Sequence, residues 1–139
     1  MRVLLLLSIA ALSACSNLGG GRPGGDTGSI SGKIAYPSEV TPLMRICAVR
    51  TGVGAPICIT SLAGQTHYRI ERLPAGEYQV QATLSEGEMR VGGHMLPVQC
   101  IRAPCPEQLK SVSLSAGAEL TGIDLNEFYA AREDFSPLR

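Results

Sequence analysis

Tryptophan is absent from this sequence, and its aromatic side chains amount to 4 tyrosines and 2 phenylalanines. So few flat rings cannot make a platform on which bases or sugars stack. Neither sign of charge is in excess, since 12 lysines and arginines balance 12 aspartates and glutamates. With no basic face, nucleic acid is not an expected partner, and electrostatic adhesion to anionic lipid is weak. The histidines are His67 and His94 alone, and neither stands in an H-x-x-E or H-E-x-x-H spacing. That removes the familiar zinc-peptidase chemistry. A G-x-S-x-G elbow is also missing, so nothing marks a nucleophilic serine, and no catalytic set is expected. Glu86 and Glu88 stand close together, but in the stretch SEGE they read as solvated turn residues. Long apolar runs are lacking too: a bilayer span takes about 20 such residues, more than any segment supplies.

What is present begins at the N-terminus. Arg2 gives a short positive region, and residues 3–12 form an apolar stretch ending in small side chains, the build of a secretory signal peptide. Leu12-Ser13-Ala14-Cys15 follows and resembles the lipobox of bacterial lipoproteins. The resemblance implies diacylglyceryl transfer to the Cys15 thiol, cleavage after Ala14 and acylation of the new amine. Residues 1–14 then leave, and the mature chain is held to a lipid membrane through acylated Cys15. Each buried CH₂ contributes roughly 0.8 kcal/mol, so several acyl chains anchor far more durably than one. Ser16, rather than Asp, follows the cysteine. In Gram-negative cells that resembles the pattern sorted to the outer membrane, facing the periplasm.

Residues 16–28 read SNLGGGRPGGDTG, where only Leu18 is bulky and apolar. Such a stretch buries too little surface to offset its ordering entropy, so residues 15–28 are expected to form the lipidated cysteine and a flexible spacer. A phosphate cradle does not fit, because GGGRPGG lacks the Lys-Ser/Thr and the helix pattern that such a loop needs. Residues 29–126 supply one modest core. Beyond Cys15 the cysteines number an even four, Cys47, Cys58, Cys100 and Cys105, which export would carry into an oxidising compartment.

Period-2 alternation is common and helical periodicity scarce. Ile30, Gly32, Ile34 and Tyr36 alternate with polar or small residues in a first strand ended by Pro37. Residues 43–50 and 56–61 flank the turn-like Thr51-Gly52-Val53-Gly54. A hairpin placing Ile46 opposite Ile59 and Ala48 opposite Ile57 also sets Cys47 opposite Cys58 on the other face. One register thus turns the isoleucines inward and joins the sulfurs, so a Cys47–Cys58 disulfide is expected. Tyr68 and Ile70 point inward from a fourth strand, with His67, Arg69 and Glu71 outward. Tyr78, Val80 and Ala82 begin the inner face of a fifth, after a turn at Leu73-Pro74-Ala75-Gly76. Residues 89–98 suggest a sixth, weakened by Gly92-Gly93. Val112 and Leu114, then Leu120, Ile123 and Leu125, supply a last pair about the Ala116-Gly117 turn. Cys100 and Cys105 close a short loop whose staple contributes roughly 2–3 kcal/mol. Zinc is the poorer use of these cysteines, for want of a second ligand pair at the customary spacing.

The pieces Ile30-Ser-Gly-Lys-Ile34 and Leu73-Pro-Ala-Gly-Glu-Tyr78-Gln-Val80 resemble carboxypeptidase regulatory-like and prealbumin-like domains. Over residues 28–126 the resemblance implies an all-β, Greek-key sandwich of about seven strands. Its motifs specify fold, because Pro74, Gly76 and Tyr78 have structural roles: fixing the start of a turn, permitting it, and plugging the core. In that broad family such modules are usually non-catalytic accessories, stalks or binding domains. The catalytic transthyretin-like branch ends in a tyrosine-led tetrapeptide, whereas this chain ends Ser136-Pro-Leu-Arg139. The chain also departs from the family in its cysteine pairs and in residues 127–139, a tail that either packs Phe128 and Tyr129 on the sandwich edge or docks elsewhere.

The function expected is therefore a membrane-anchored, non-catalytic envelope module that binds or supports another envelope component, without a cofactor. One alternative is a soft-metal, copper-binding set made of Met89, His94 and Met95, thioethers plus imidazole. Against it, methionine is ordinary core filler, and His94 has the opposite strand parity to Met89 and Met95. A small hydrolase or inhibitor with an unmarked site is the other alternative.

Overall fold

In this computed structural model the described residues are 25–52, 54–84, 90–97, 100–102 and 108–131. Strands that are apolar on one face must bury that face, and here two sheets pack on each other to do so. The smaller sheet holds β4 (His67–Pro74), β1 (Thr27–Lys33) and β8 (Glu119–Leu120), with β1 central. The larger runs β3 (Ile57–Thr60), β2 (Met44–Arg50), β5 (Gly76–Leu84), β6 (Arg90–Gly93) and β9 (Glu127–Ala131). β7 (Val112–Leu114) pairs with the first residues of β5, on the edge that β6 uses further along. The protein is an all-β sandwich.

Its core is what the alternation selects. Ile30, Tyr68 and Ile70 from the smaller sheet face Ile46, Ala48, Tyr78, Val80 and Ala82 from the larger, and none is more than 3% exposed. The β2–β3 hairpin has the expected register, with Ile46 opposite Ile59, Ala48 opposite Ile57, and Cys47 opposite Cys58. Cys47 and Cys58 form a disulfide, their Cα atoms 4.1 Å apart. Between β4 and β5 the chain passes from one sheet to the other. Tyr78 plugs the core and donates its hydroxyl to the Pro74 carbonyl at 2.7 Å, while Arg50 donates to the Ala75 carbonyl at 2.6 Å. The corner is thus fastened from both sides.

Three features differ from the sequence pattern. β7 and β8 do not pair with each other: β7 joins β5, and β8 runs parallel to β1 in the smaller sheet. The intervening turn, with Gly117 at φ 70°, carries the chain across the sandwich, which lets Leu114 and Leu125 both enter the core. Gly92-Gly93 is not a weakness but a clearance. A Cβ on Gly92 would lie 2.2 Å from Phe128 Cδ1, and one on Gly93 2.4 Å from Leu109 Cδ2. Finally, β9 continues the larger sheet beyond residue 126, and Phe128 is buried edge-on against Tyr36, with ring centroids 5.1 Å apart. Of the two fates open to that segment, Phe128 takes packing.

Candidate functional site

The outer surface of the smaller sheet gathers a cluster of polar side chains. Alternation turns Ser31 and Lys33 of β1 outward beside Arg69 and His67 of β4, to which they are register partners. The Arg69 guanidinium binds Glu71 on its own strand and reaches across to Glu119 on β8. Two grooves open beside this ionic strap.

The larger groove, ≈ 420 Å³, lies where β1 and β4 meet the segment after β8. Its floor is locked by backbone contact. Tyr68 donates its hydroxyl to the Ile123 carbonyl, and its register partner Gly32 leaves room for that carbonyl, which a Cβ would approach to 2.2 Å. Burial, and then the nearby Asp124 carboxylate, push the Tyr68 hydroxyl well above the ordinary tyrosine range. Ser31, His67 and Asp124 all line this groove, and they are the residue types of a hydrolytic triad. They are not assembled as one. Ser31 Oγ donates to the Leu120 carbonyl, His67 Nδ1 contacts Thr66 Oγ1, and Asp124 Oδ1 accepts from the Lys33 amide at 2.8 Å. Among the described residues, no hydrogen bond joins any two of the three.

The second groove, ≈ 170 Å³, lies at the other side of the strap and includes Thr27, Ser29, Arg69, Arg72 and Gly117 in its walls. It forms over an irregularity in β4, where the pairing jumps from Ile30↔Ile70 to Gly28↔Leu73. The sequence pattern missed this place. The signal was there, because the apolar spacing along β4 runs Tyr68, Ile70, Leu73, one residue longer than strict alternation allows.

Of the residues expected to bind soft metal, the two described ones, His94 and Met95, do not converge. His94 Nδ1 lies 2.8 Å from the Asp124 carbonyl. A carbonyl only accepts, so Nδ1 carries the proton and the neutral ring has its lone pair on Nε2, the arrangement a metal ligand needs. Met95, however, turns to the opposite side. Its sulfur lies over Gly93, and it is buried beside Leu109, with which it forms an isolated bridge. Met89 lies outside the described residues, as do Cys15 and Cys105. Cys100 is disulfide-bonded.

The segment bearing Cys100 leaves and returns through a paired neck, in which Leu96 donates to Gln108 and Lys110 donates to His94. On the outer face of the larger sheet, Met95 and Leu109 lie over Gly93, at the end of the row Cys47–Gln81–Gly93. In the same row Cys47 and Gln81, though on the side away from the core, are 0% and 1% exposed.

No family model, no curated protein and no solved structure matches this chain.

Proposed function

We propose that this chain is a lipid-anchored, non-catalytic β-sandwich of the bacterial cell envelope that binds another envelope component. The anchor rests on the resemblance of residues 12–15 to a lipobox, and the accessory-module role rests on the strand and turn motifs that resemble regulatory-like domains. The single observation that carries the non-catalytic reading is the state of the larger groove. Its serine, histidine and carboxylate are each committed to a different neighbour and none to one another. A nucleophile needs its base within hydrogen-bond reach. The polar surface of the smaller sheet, with its two grooves, is the face assigned to binding.

The test is crosslinking in intact cells followed by affinity capture, comparing the native chain with Cys15→Ala. One envelope protein enriched with the native chain and lost with Cys15→Ala is the expected result. Turnover of a small ester, amide or glycoside by the purified chain, abolished by Ser31→Ala or His67→Ala, would overturn the non-catalytic reading.

A further inference from the structure

Two local costs of this fold fall in one place. Between Gly28↔Leu73 and Ile30↔Ile70, β4 places Glu71 and Arg72 against the single Ser29 of β1. A bulge of this kind is often completed by a residue in the left-handed region, where glycine sits without strain. Here the residue is Arg72, at φ 58°, the one non-glycine with positive φ among the described residues. The bulge turns both Glu71 and Arg72 outward and returns Leu73 to the core. Glycine would achieve that more cheaply, so backbone geometry does not account for an arginine.

Beside it, Ser29 is 5% exposed and its Oγ has no hydrogen-bond partner among the described residues. Buried hydroxyls are ordinarily paired, and an alanine here would bury nothing unsatisfied. Arg72, a strained cation, and Ser29, whose own hydroxyl is buried, therefore both line the same ≈ 170 Å³ groove. Costs that the fold does not need, gathered at one cavity, mark a place kept for a ligand.

Charge selects the ligand. Arg69 is matched by Glu71 and Glu119, whereas Arg72 has no ion pair among the described residues. The groove thus offers one uncommitted positive charge with carboxylates close by. A dianion such as phosphate meets repulsion there, while a single carboxylate matches the charge and the flat fork of a guanidinium. We infer that this groove binds a carboxylate group of the ligand, held by Arg72 with the hydroxyl of Thr27 as a further donor. The inference deepens the binding-module reading and rests on it for its purpose.

The experiment is a titration of the ¹⁵N-labelled full chain, in detergent, with sodium acetate, followed by amide chemical shifts at constant ionic strength. Inorganic phosphate is the comparison. Expected are saturable shifts around Ser29, Arg72 and Gly117, a weaker response to phosphate, and a dissociation constant at least about tenfold higher in Arg72→Gly. That variant removes strain, so its melting temperature should hold or rise, which separates lost binding from lost fold. Arg72→Asn, which also tolerates the left-handed region, is the second variant. Shifts that are linear and spread over the whole chain, or a midpoint unchanged in Arg72→Gly and Arg72→Asn, would overturn the inference. Tighter binding of phosphate than of acetate would overturn the choice of carboxylate. Because the titration needs no protein partner, its failure is distinguishable from failure of the crosslinking experiment.

Discussion

Tyr68 and Tyr78 bring their hydroxyls into the fold by different routes, and both are tied to backbone carbonyls. Burial raises the pKa of each. Asp124 adds to the effect at Tyr68, and Arg50 opposes part of it at Tyr78. The folded state therefore holds the protonated phenols. The stability they confer is complete below tyrosine's ordinary pKa of about 10 and is lost as pH rises above it, by up to about 1.4 kcal/mol per pH unit for each tyrosine. Urea unfolding midpoints should stay level up to about pH 9.5 and then fall, with a shallower fall in Tyr68→Phe. A level profile through this range would mean that the phenols ionise in the native state as they do in the unfolded one. Gln81 presents the converse case, a buried amide with no partner for its Nε2 among the described residues. Leaving such a group unpaired costs about 1–3 kcal/mol, so Gln81→Leu should raise the denaturation midpoint by the equivalent of roughly 1 kcal/mol. A clear loss instead would show that the other amide atom helps to hold the covering segment.

At the scale of elements, legibility followed the range of the constraint. The β2–β3 register was readable because two independent demands, inward isoleucines and facing cysteines, are met by the same alignment. β4 was readable up to Ile70, where one extra residue breaks the alternation. The partners of β7 and β8 were not readable. Strands of 3 and 2 residues carry too little alternation to name a distant neighbour, and their pairing is decided by which sheet edges other strands leave vacant. Gly92-Gly93 misled for a related reason, since what a glycine makes room for lies elsewhere in the chain. The groove at Ser29 and Arg72 was hidden because a bulge changes facing without changing composition. β9 shows how much an edge strand can matter. Phe128 closes that end of the sandwich over Gly92 and against Tyr36, so Phe128→Ala should cost about 3 kcal/mol. Chemical denaturation would measure it; a cost below about 1 kcal/mol would mean that the core closes without β9.

For the whole molecule, anchoring and folding are separable if the proposed organisation holds. Every buried hydrophobic residue among those described lies between Ile30 and Phe128, outside the stretch around Cys15. Loss of the lipid should then change where the chain resides and leave how it folds untouched. In cells fed a labelled fatty acid, the native chain should take up label and sediment with membranes. Cys15→Ala should take up none and shift to the soluble fraction, or keep its leader as a longer species. Thermal melts of the two should coincide, because Cys15 stands outside the Ile30–Phe128 stretch that supplies the described core. Label retained by Cys15→Ala would place the acyl chains on another residue and remove the lipobox reading. Coincident melts with no label on either protein would leave the sandwich as described but without its tether, and the binding face would then have to find its partner by diffusion.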